Sequence, residues 1–323
     1  MRAREEGLLR LAWRRRESLG AMSDQAFEEL RLAVAANPDA FVDDASDAAY
    51  LQLARALEAD EAGRVEEEFL DDDEYQASHA ARMERLAAAC QRICDETGDC
   101  LDARTIAAMV TGVEAGDVLE ELLALDAEQP DMASEGAADG ANPWDNPFAR
   151  PRLRLRAAIA RMMLETTRFR ATCELCGQLV ELMPGDPLGL RYTWSLACAR
   201  LEDEAAFNGL DARFDRQGNA WSHLARVLLM FKLDRMPAAR RALRGFTSLC
   251  EGGAYALLRP TYVDTYLPDR PSFRPGSYEE AMLAVHEADP VVVDTPDFIP
   301  WATAQKGIAE EARRYAEDND LDW

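Results

Sequence analysis

The chain has 323 residues, 48% hydrophobic and 8% aromatic, with 36 basic residues against 60 acidic ones and a net charge of −24. That much apolar content excludes a disordered chain, and the negative charge argues against nonspecific binding to nucleic acid or to anionic membranes. No run approaches the roughly 18 consecutive apolar residues a membrane span needs, so no membrane partner is expected.

Ala and Leu abound while Val, Ile and Thr are sparse, which favours helix throughout. Lysine occurs only at Lys232 and Lys306, so arginine carries nearly all the positive charge. The charge is uneven. Residues 1–21 hold 6 basic and 3 acidic groups (+3), and residues 22–149 hold 7 and 32 (−25). Residues 150–250 hold 17 and 10 (+7), and residues 251–323 hold 6 and 15 (−9). A basic centre between acidic flanks is the main electrostatic feature.

The charged start and the run Arg14–Arg16 predict no secretory leader. Met22 precedes Ser23 and Asp24, a natural capping pair, and reads as an alternative start, so residues 1–21 are assigned no role. Seven cysteines without an export signal predict reduced thiols and a cytoplasmic protein.

From Ser23, Phe27, Leu30, Leu32 and Val34 predict a helix stopped by Asn37-Pro38. Tyr50, Leu51, Leu53, Ala54 and Leu57 predict a second. Glu66–Glu74 reads as a solvated turn or loop, and it lacks the glycine and spacing of a calcium loop. Tyr75 to about Cys94 predicts a third helix, with Met83, Leu86, Cys90 and Ile93 on one face. Leu101–Val113 and Val118–Leu125 complete an acidic helical region, residues 22–127. Residues 128–149, rich in Gly, Ala, Asp and Ser around Gln129–Asn142, are expected to form a flexible linker and domain boundary.

Residues 150–250 are then predicted to hold about three helix pairs: Leu153–Thr166 with Phe169–Met183, Leu188–Arg200 with Glu204–Phe214, and Trp221–Leu233 with Pro237–Cys250. Each first helix carries a large–small step: Ile159-Ala160, Trp194-Ser195, Leu224-Ala225. The second helices open at Phe169–Thr172, Glu204–Phe207 and Met236–Ala239, which are 35 and 32 residues apart by their numbering.

On these residues the stretch resembles the tetratricopeptide repeat family. Phe169, Cys176, Leu179 and Pro184 fall at that family's aromatic, bulky, small and terminal-proline positions. Thr167 and Glu202 stand where the family usually has an inter-helix glycine. The Asn142-Pro143-Trp144 opening and Tyr278–Ala281 are also similar to bacterial relatives of the suppressor-of-tumorigenicity-7 repeat family. The resemblance implies an all-α, tetratricopeptide-like α-solenoid, with a helical N-terminal region and a loop-rich C-terminal cap over residues 251–323. In that cap the proline-rich Arg259–Gly276 reads as extended loop, Val291–Val293 as an edge strand or a packed segment, and Trp301–Asn319 as one amphipathic helix.

Chemistry has few candidates. Cys173-x-x-Cys176 lies inside a predicted helix with no preceding strand, so packing is expected there in place of redox or zinc chemistry. Cys90, Cys94 and Cys100 are read the same way. His79, His223 and His286 are too dispersed for a metal motif, and no phosphate loop, dinucleotide fingerprint or serine elbow occurs. No metal, cofactor or catalytic activity is therefore expected.

The basic run Arg150–Arg156 is expected to project positive charge, with Arg154 among its candidates. Arg161, Arg191 and Arg226 recur on the first helices, joined by Tyr192 and His223. Bidentate arginines in a repeat groove select carboxylates. The expected function is a non-catalytic scaffold or adaptor holding a protein or peptide, an acidic one among the candidates, and nucleic acid is not an expected partner. The alternative is a regulatory module whose acidic N-terminal region masks the basic repeat face from a partner or nucleic acid.

Overall fold

The computed structural model describes residues 3–67, 70–97, 100–111, 114–130, 142–260 and 269–323. Of the described residues 76% are helical, and none is in a strand. The chain divides into two compact units, Met1–Arg156 and Ala157–Trp323.

The N-terminal unit contains α1 (Ala3–Leu19), α2 (Asp24–Ala36), α3 (Ala45–Glu67), α4 (Asp72–Thr97), α5 (Leu101–Thr111) and α6 (Ala115–Ala127). Ser23 caps α2 by accepting from the Ala26 N–H at 3.2 Å, and the chain leaves that helix at Asn37-Pro38 as expected. The third-helix face is as predicted, with Leu86, Cys90 and Ile93 buried on α4. Half of the expected linker, residues 131–141, lies outside the described residues. The division into units falls past it, inside α7 (Arg150–Glu165).

Three expectations for this unit are corrected. Within residues 1–21, assigned no role, Ala3–Leu19 form a core helix: α1 packs on α2 and α3, with Leu11 and Ala12 fully buried. Glu67, placed in a solvated loop, ends α3 and is buried against Arg82, whose Nε donates to Glu67 Oε2 at 2.9 Å. Arg154, expected to project outward, is only 2% exposed. Its Nε and Nη2 donate to Asp102 at 2.9 and 2.6 Å, and its Nη1 and Nη2 donate to Glu6, each at 2.9 Å. Arg150 and Arg10 complete the cluster on Glu6 at 3.3 and 2.9 Å. Arg10 also lies 3.6 Å over the Tyr50 ring. The reason is electrostatic. A buried guanidinium needs carboxylates, and α1 and α5 supply them.

The C-terminal unit holds α8 (Phe169–Leu182), α9 (Leu190–Arg200), α10 (Glu204–Arg213), α11 (Ala220–Lys232) and α12 (Met236–Leu249). α8 packs on α9, α9 on α10 and α11, and α11 on α12. The turns after α7, α9 and α11 are alike. Thr167, Glu202 and Asp234 sit in the left-handed region at φ 61°, 59° and 54°. In each, that residue's N–H bonds the carbonyl three back, at Leu164, Ala199 and Phe231. The next N–H bonds five back, at Met163, Cys198 and Met230. This is a Schellman turn repeated three times, holding a non-glycine residue where glycine is preferred.

The C-terminal segment departs furthest from its expected form. It contains α13 (Gly253–Leu258), α14 (Tyr278–Glu287), α15 (Asp289–Val293), α16 (Phe298–Thr303) and α17 (Ile308–Asp318). Val291–Val293 is helical, not an edge strand; Pro290 in the first turn of α15 fits a helix start, and Val291 is buried. The single helix expected over Trp301–Asn319 is two, interrupted at Gly307 with φ 90°. Residues 261–268 of the proline-rich stretch lie outside the described residues. α14 packs on α11 and α15 on α9, so this segment shares one core with the helix pairs.

Burial pushes the Glu6 carboxyl up, but Arg154, Arg10 and Arg150 outweigh it and hold it down at about 2. A depressed carboxylate stabilises the fold above its unfolded value, and that stability is lost as pH falls from about 4.5 towards 2. The loss attached to Glu6 is expected to be about 3 kcal/mol, and Glu6→Gln should flatten the acid limb of urea-unfolding stability against pH. Arg154→Ala, which strands two buried carboxylates, is expected to cost about 3–5 kcal/mol at pH 7. For the repeated turn, Thr167→Gly should stabilise by about 0.5–1 kcal/mol, because a β-branched residue is strained at φ 61°. A lower unfolding midpoint for Thr167→Gly would contradict that turn.

Candidate functional site

Helix α9 distributes its faces among four neighbours, following the helical period. Cys198 and Trp194 face α8, the thiol against Cys173 and the indole 3.5 Å from the space a Cβ on Gly177 would fill. Tyr192 faces α11 and stacks on Trp221, centroids 4.4 Å apart at 11°. Thr193 and Arg200 face the C-terminal segment, bonding to Arg270 and Asp294. Arg191 and Ser195 face α10.

The face holding Thr193 is therefore closed by the chain itself. Arg270 donates to the carbonyls of Leu188 and Gly189 at 3.0 and 2.6 Å, to Thr193 Oγ1 at 3.1 Å, and to both oxygens of Glu287 at 3.0 Å. Trp221 Nε1 donates to the same Glu287 carboxylate at 2.7 Å. Gly189 is required here: its φ is +65°, and a Cβ would lie 2.6 Å from Arg270 Nη1. Further along, Phe231 packs on Phe298 and Trp301 at 5.4 and 4.9 Å.

The opposite face of α9 is open. Arg191, Tyr192, Phe207, Leu210, Asp211 and Phe214 line a depression with the start of α11. The Arg191 guanidinium lies 4.8 Å over the Phe214 ring and 5.1 Å over Tyr192. Arg226 lies 4.9 Å over Phe207, and its Nη2 donates to Asp211 at 2.8 Å. Both guanidiniums stay partly exposed, at 27% and 38% of the side chain. The hollow encloses only about 20 Å³, room for roughly one water. That is too little to surround a reacting molecule.

Local sequence explains the frame. Asp203 caps α10 through the Ala206 N–H at 2.9 Å, and Asn219 and Ser222 form a capping box that starts α11. Asp186, itself at φ 49°, accepts from the N–H groups of Leu190 and Arg191 at 2.7 and 3.1 Å, which fixes the start of α9. Burial raises the Asp186 carboxyl against the pull of those two hydrogen bonds.

Of the sequence candidates, Arg191, Tyr192 and Arg226 meet at this surface. His223 stands beside it, its ring 2.5 Å from where a Cβ on Gly218 would sit. Burial, reinforced by Arg226 and opposed by Asp211, lowers its basicity. Arg161 is elsewhere, in a hollow of about 10 Å³ with Leu188, Thr193 and Arg270. Arg154 belongs to the buried cluster of the N-terminal unit and presents no surface. Asp211, Phe207 and Phe214 were missed, since an acid and two aromatics on a second helix look like ordinary packing residues. Arg270 was also missed, because its segment has no periodicity to read.

The thiols are free, and Cys90, Cys100, Cys176, Cys198 and Cys250 are buried. Burial raises Cys90 to about 12 and Cys100 to about 11. Cys173 is only partly covered, and its hydrogen bond with Cys198 lowers it. Ellman titration of the native protein should therefore modify Cys173 first, then Cys94 slowly, and all seven cysteines only after unfolding. Rapid native modification of more than two thiols would contradict this packing.

Comparison with family models, with curated proteins and with solved structures found no match for this chain.

Proposed function

We propose that the chain is a non-catalytic interaction scaffold of tetratricopeptide-like architecture, working in the reducing cytoplasm. Its C-terminal unit takes an acidic segment of a protein partner on the α9–α10–α11 depression. The repeat reading is supported by the three equivalent Schellman turns and by the succession of α8 on α9, α9 on α11 and α11 on α12. Seven free thiols favour a reducing compartment.

One observation carries the binding reading. Two partly exposed guanidiniums, Arg191 and Arg226, are fixed over aromatic rings at the rim of an open hollow. A guanidinium stacked in this way loses little freedom on meeting a carboxylate and offers it two parallel donors. The hollow's small volume favours a peptide lying across it over an enclosed substrate. The arginines named here pair with Asp186 and Asp211 of their own unit, which leaves less unmatched charge for an acidic region to mask.

Fluorescence-anisotropy binding to an array of acidic and neutral peptides tests this. The Arg191→Glu/Arg226→Glu protein is expected to bind the acidic peptides at least tenfold more weakly, with its circular dichroism unchanged, since exposed charge changes cost under about 0.5 kcal/mol each. Equal binding by the double variant, or no preference for acidic peptides, would overturn the reading.

A further inference from the structure

The N-terminal unit is the acidic part of the chain, yet its arginines are not scattered. Residues 22–149 contain 7 basic residues, all arginine, against 32 acids. Four of them, Arg55, Arg82, Arg85 and Arg92, line one cleft between α3 and α4. The cleft encloses about 380 Å³, within the range of small-molecule sites. Its apolar lining is Ala56, Ala59, Leu86, Ala89 and Ile93, with Leu86 and Ile93 almost wholly buried.

Arg82 is built into the wall. It is 2% exposed, and its Nη1 donates to Asp60 at 2.8 Å while its Nε donates to Glu67 at 2.9 Å. Ser78 donates to that same Glu67 carboxylate at 3.0 Å. Gly63, in the interior of α3, makes room for it: a Cβ there would lie 3.0 Å from Arg82 Cδ. A mid-helix glycine costs about 0.5–1 kcal/mol relative to alanine, and a buried ion pair seldom stabilises more than apolar packing would. Both features hold a guanidinium in one place at some expense of stability.

Arg85 and Arg92 are seven residues apart on α4, so they stand on the same side of the helix, roughly 10 Å apart along its axis. Both are exposed, and among the described residues neither has an ion pair. Arg55 enters from α3, its guanidinium on Asp39 at 3.0 Å. Asp60 and Glu96 also line the cleft, but Asp60 is engaged by Arg82.

From this placement we infer that the α3–α4 cleft is a binding site for a small organic polyanion, a phosphorylated or polycarboxylate metabolite. Arg85 and Arg92 take its anionic groups, Arg82 and Arg55 flank them, and the Leu86–Ala89–Ile93 floor takes its carbon skeleton. Guanidiniums suit either phosphate or carboxylate, because both offer two coplanar acceptor oxygens. The site is independent of the peptide surface on the C-terminal unit.

Isothermal titration of the full-length protein with ATP and, separately, with citrate tests the assignment, at fixed ionic strength because such contacts are screened by salt. Saturable one-to-one binding of at least one probe is expected, with a raised melting temperature. ATP alone would assign a phosphorylated ligand, and citrate alone a polycarboxylate. Arg85→Glu/Arg92→Glu should weaken that binding at least tenfold with circular dichroism unchanged, while Arg170→Glu, an exposed change on α8, should leave it intact. Binding of neither probe up to millimolar concentration would overturn the site, as would equal binding by the Arg85→Glu/Arg92→Glu protein.

Discussion

A guanidinium cannot shed its proton at any ordinary pH, so wherever this chain buries an arginine it must also bring acceptors there. Much of the fold follows from that constraint. Arg154 draws Glu6 of α1 and Asp102 of α5 onto one point of α7. Arg82 joins α4 to Asp60 and Glu67 of α3. Arg270 ties the loop before α14 to Glu287 and to the backbone at the start of α9. In each case a residue distant in sequence is fixed by a charge that has no cheaper state.

The same constraint gives part of the acidic excess a structural purpose. Glu6, Asp102, Glu67 and Glu287 are not solubilising surface groups; each is a counter-charge within the fold. The −25 of residues 22–149 therefore overstates what the N-terminal unit offers to solvent. The +7 of residues 150–250 overstates it too, because Arg154 is consumed internally while Arg191 and Arg226 already have acids beside them. Net charge by segment described composition well and surface poorly.

What was legible in the sequence was the helices with a clear apolar period. The helices from Leu153 to Cys250 follow from apolar spacing, and Thr167 and Glu202 mark turns whose backbone is the same in space. Asp234 completes that set at the next turn without any glycine to flag it. What was illegible was pairing across long sequence distances. Nothing local to Glu6 foretells Arg154, which lies 148 residues away. The proline-rich stretch gave no period, so Arg270 could not be placed against α9. For the candidate surface, the arginines and Tyr192 could be read as first-helix residues. Asp211, Phe207 and Phe214 could not, because their part depends on which way α10 turns toward α9 and α11.

The C-terminal segment closes one face of the helices it packs on. In an array of helix pairs, the first helices share a face that stays open unless something covers it. Here α14 and α15 cover it on α11 and α9, and Leu283, Ala284 and Val291 are buried in the same core as Leu224 and Leu228. A segment that contributes so many fully buried side chains cannot leave without exposing that core. It is structure, not a removable plug. The other side of α9 is left uncovered, and there Arg191 and Arg226 stand over aromatic rings. The enclosed volume there is too small for a buried ligand, so the proposed peptide would draw its affinity from contacts spread along a partner that stays largely exposed.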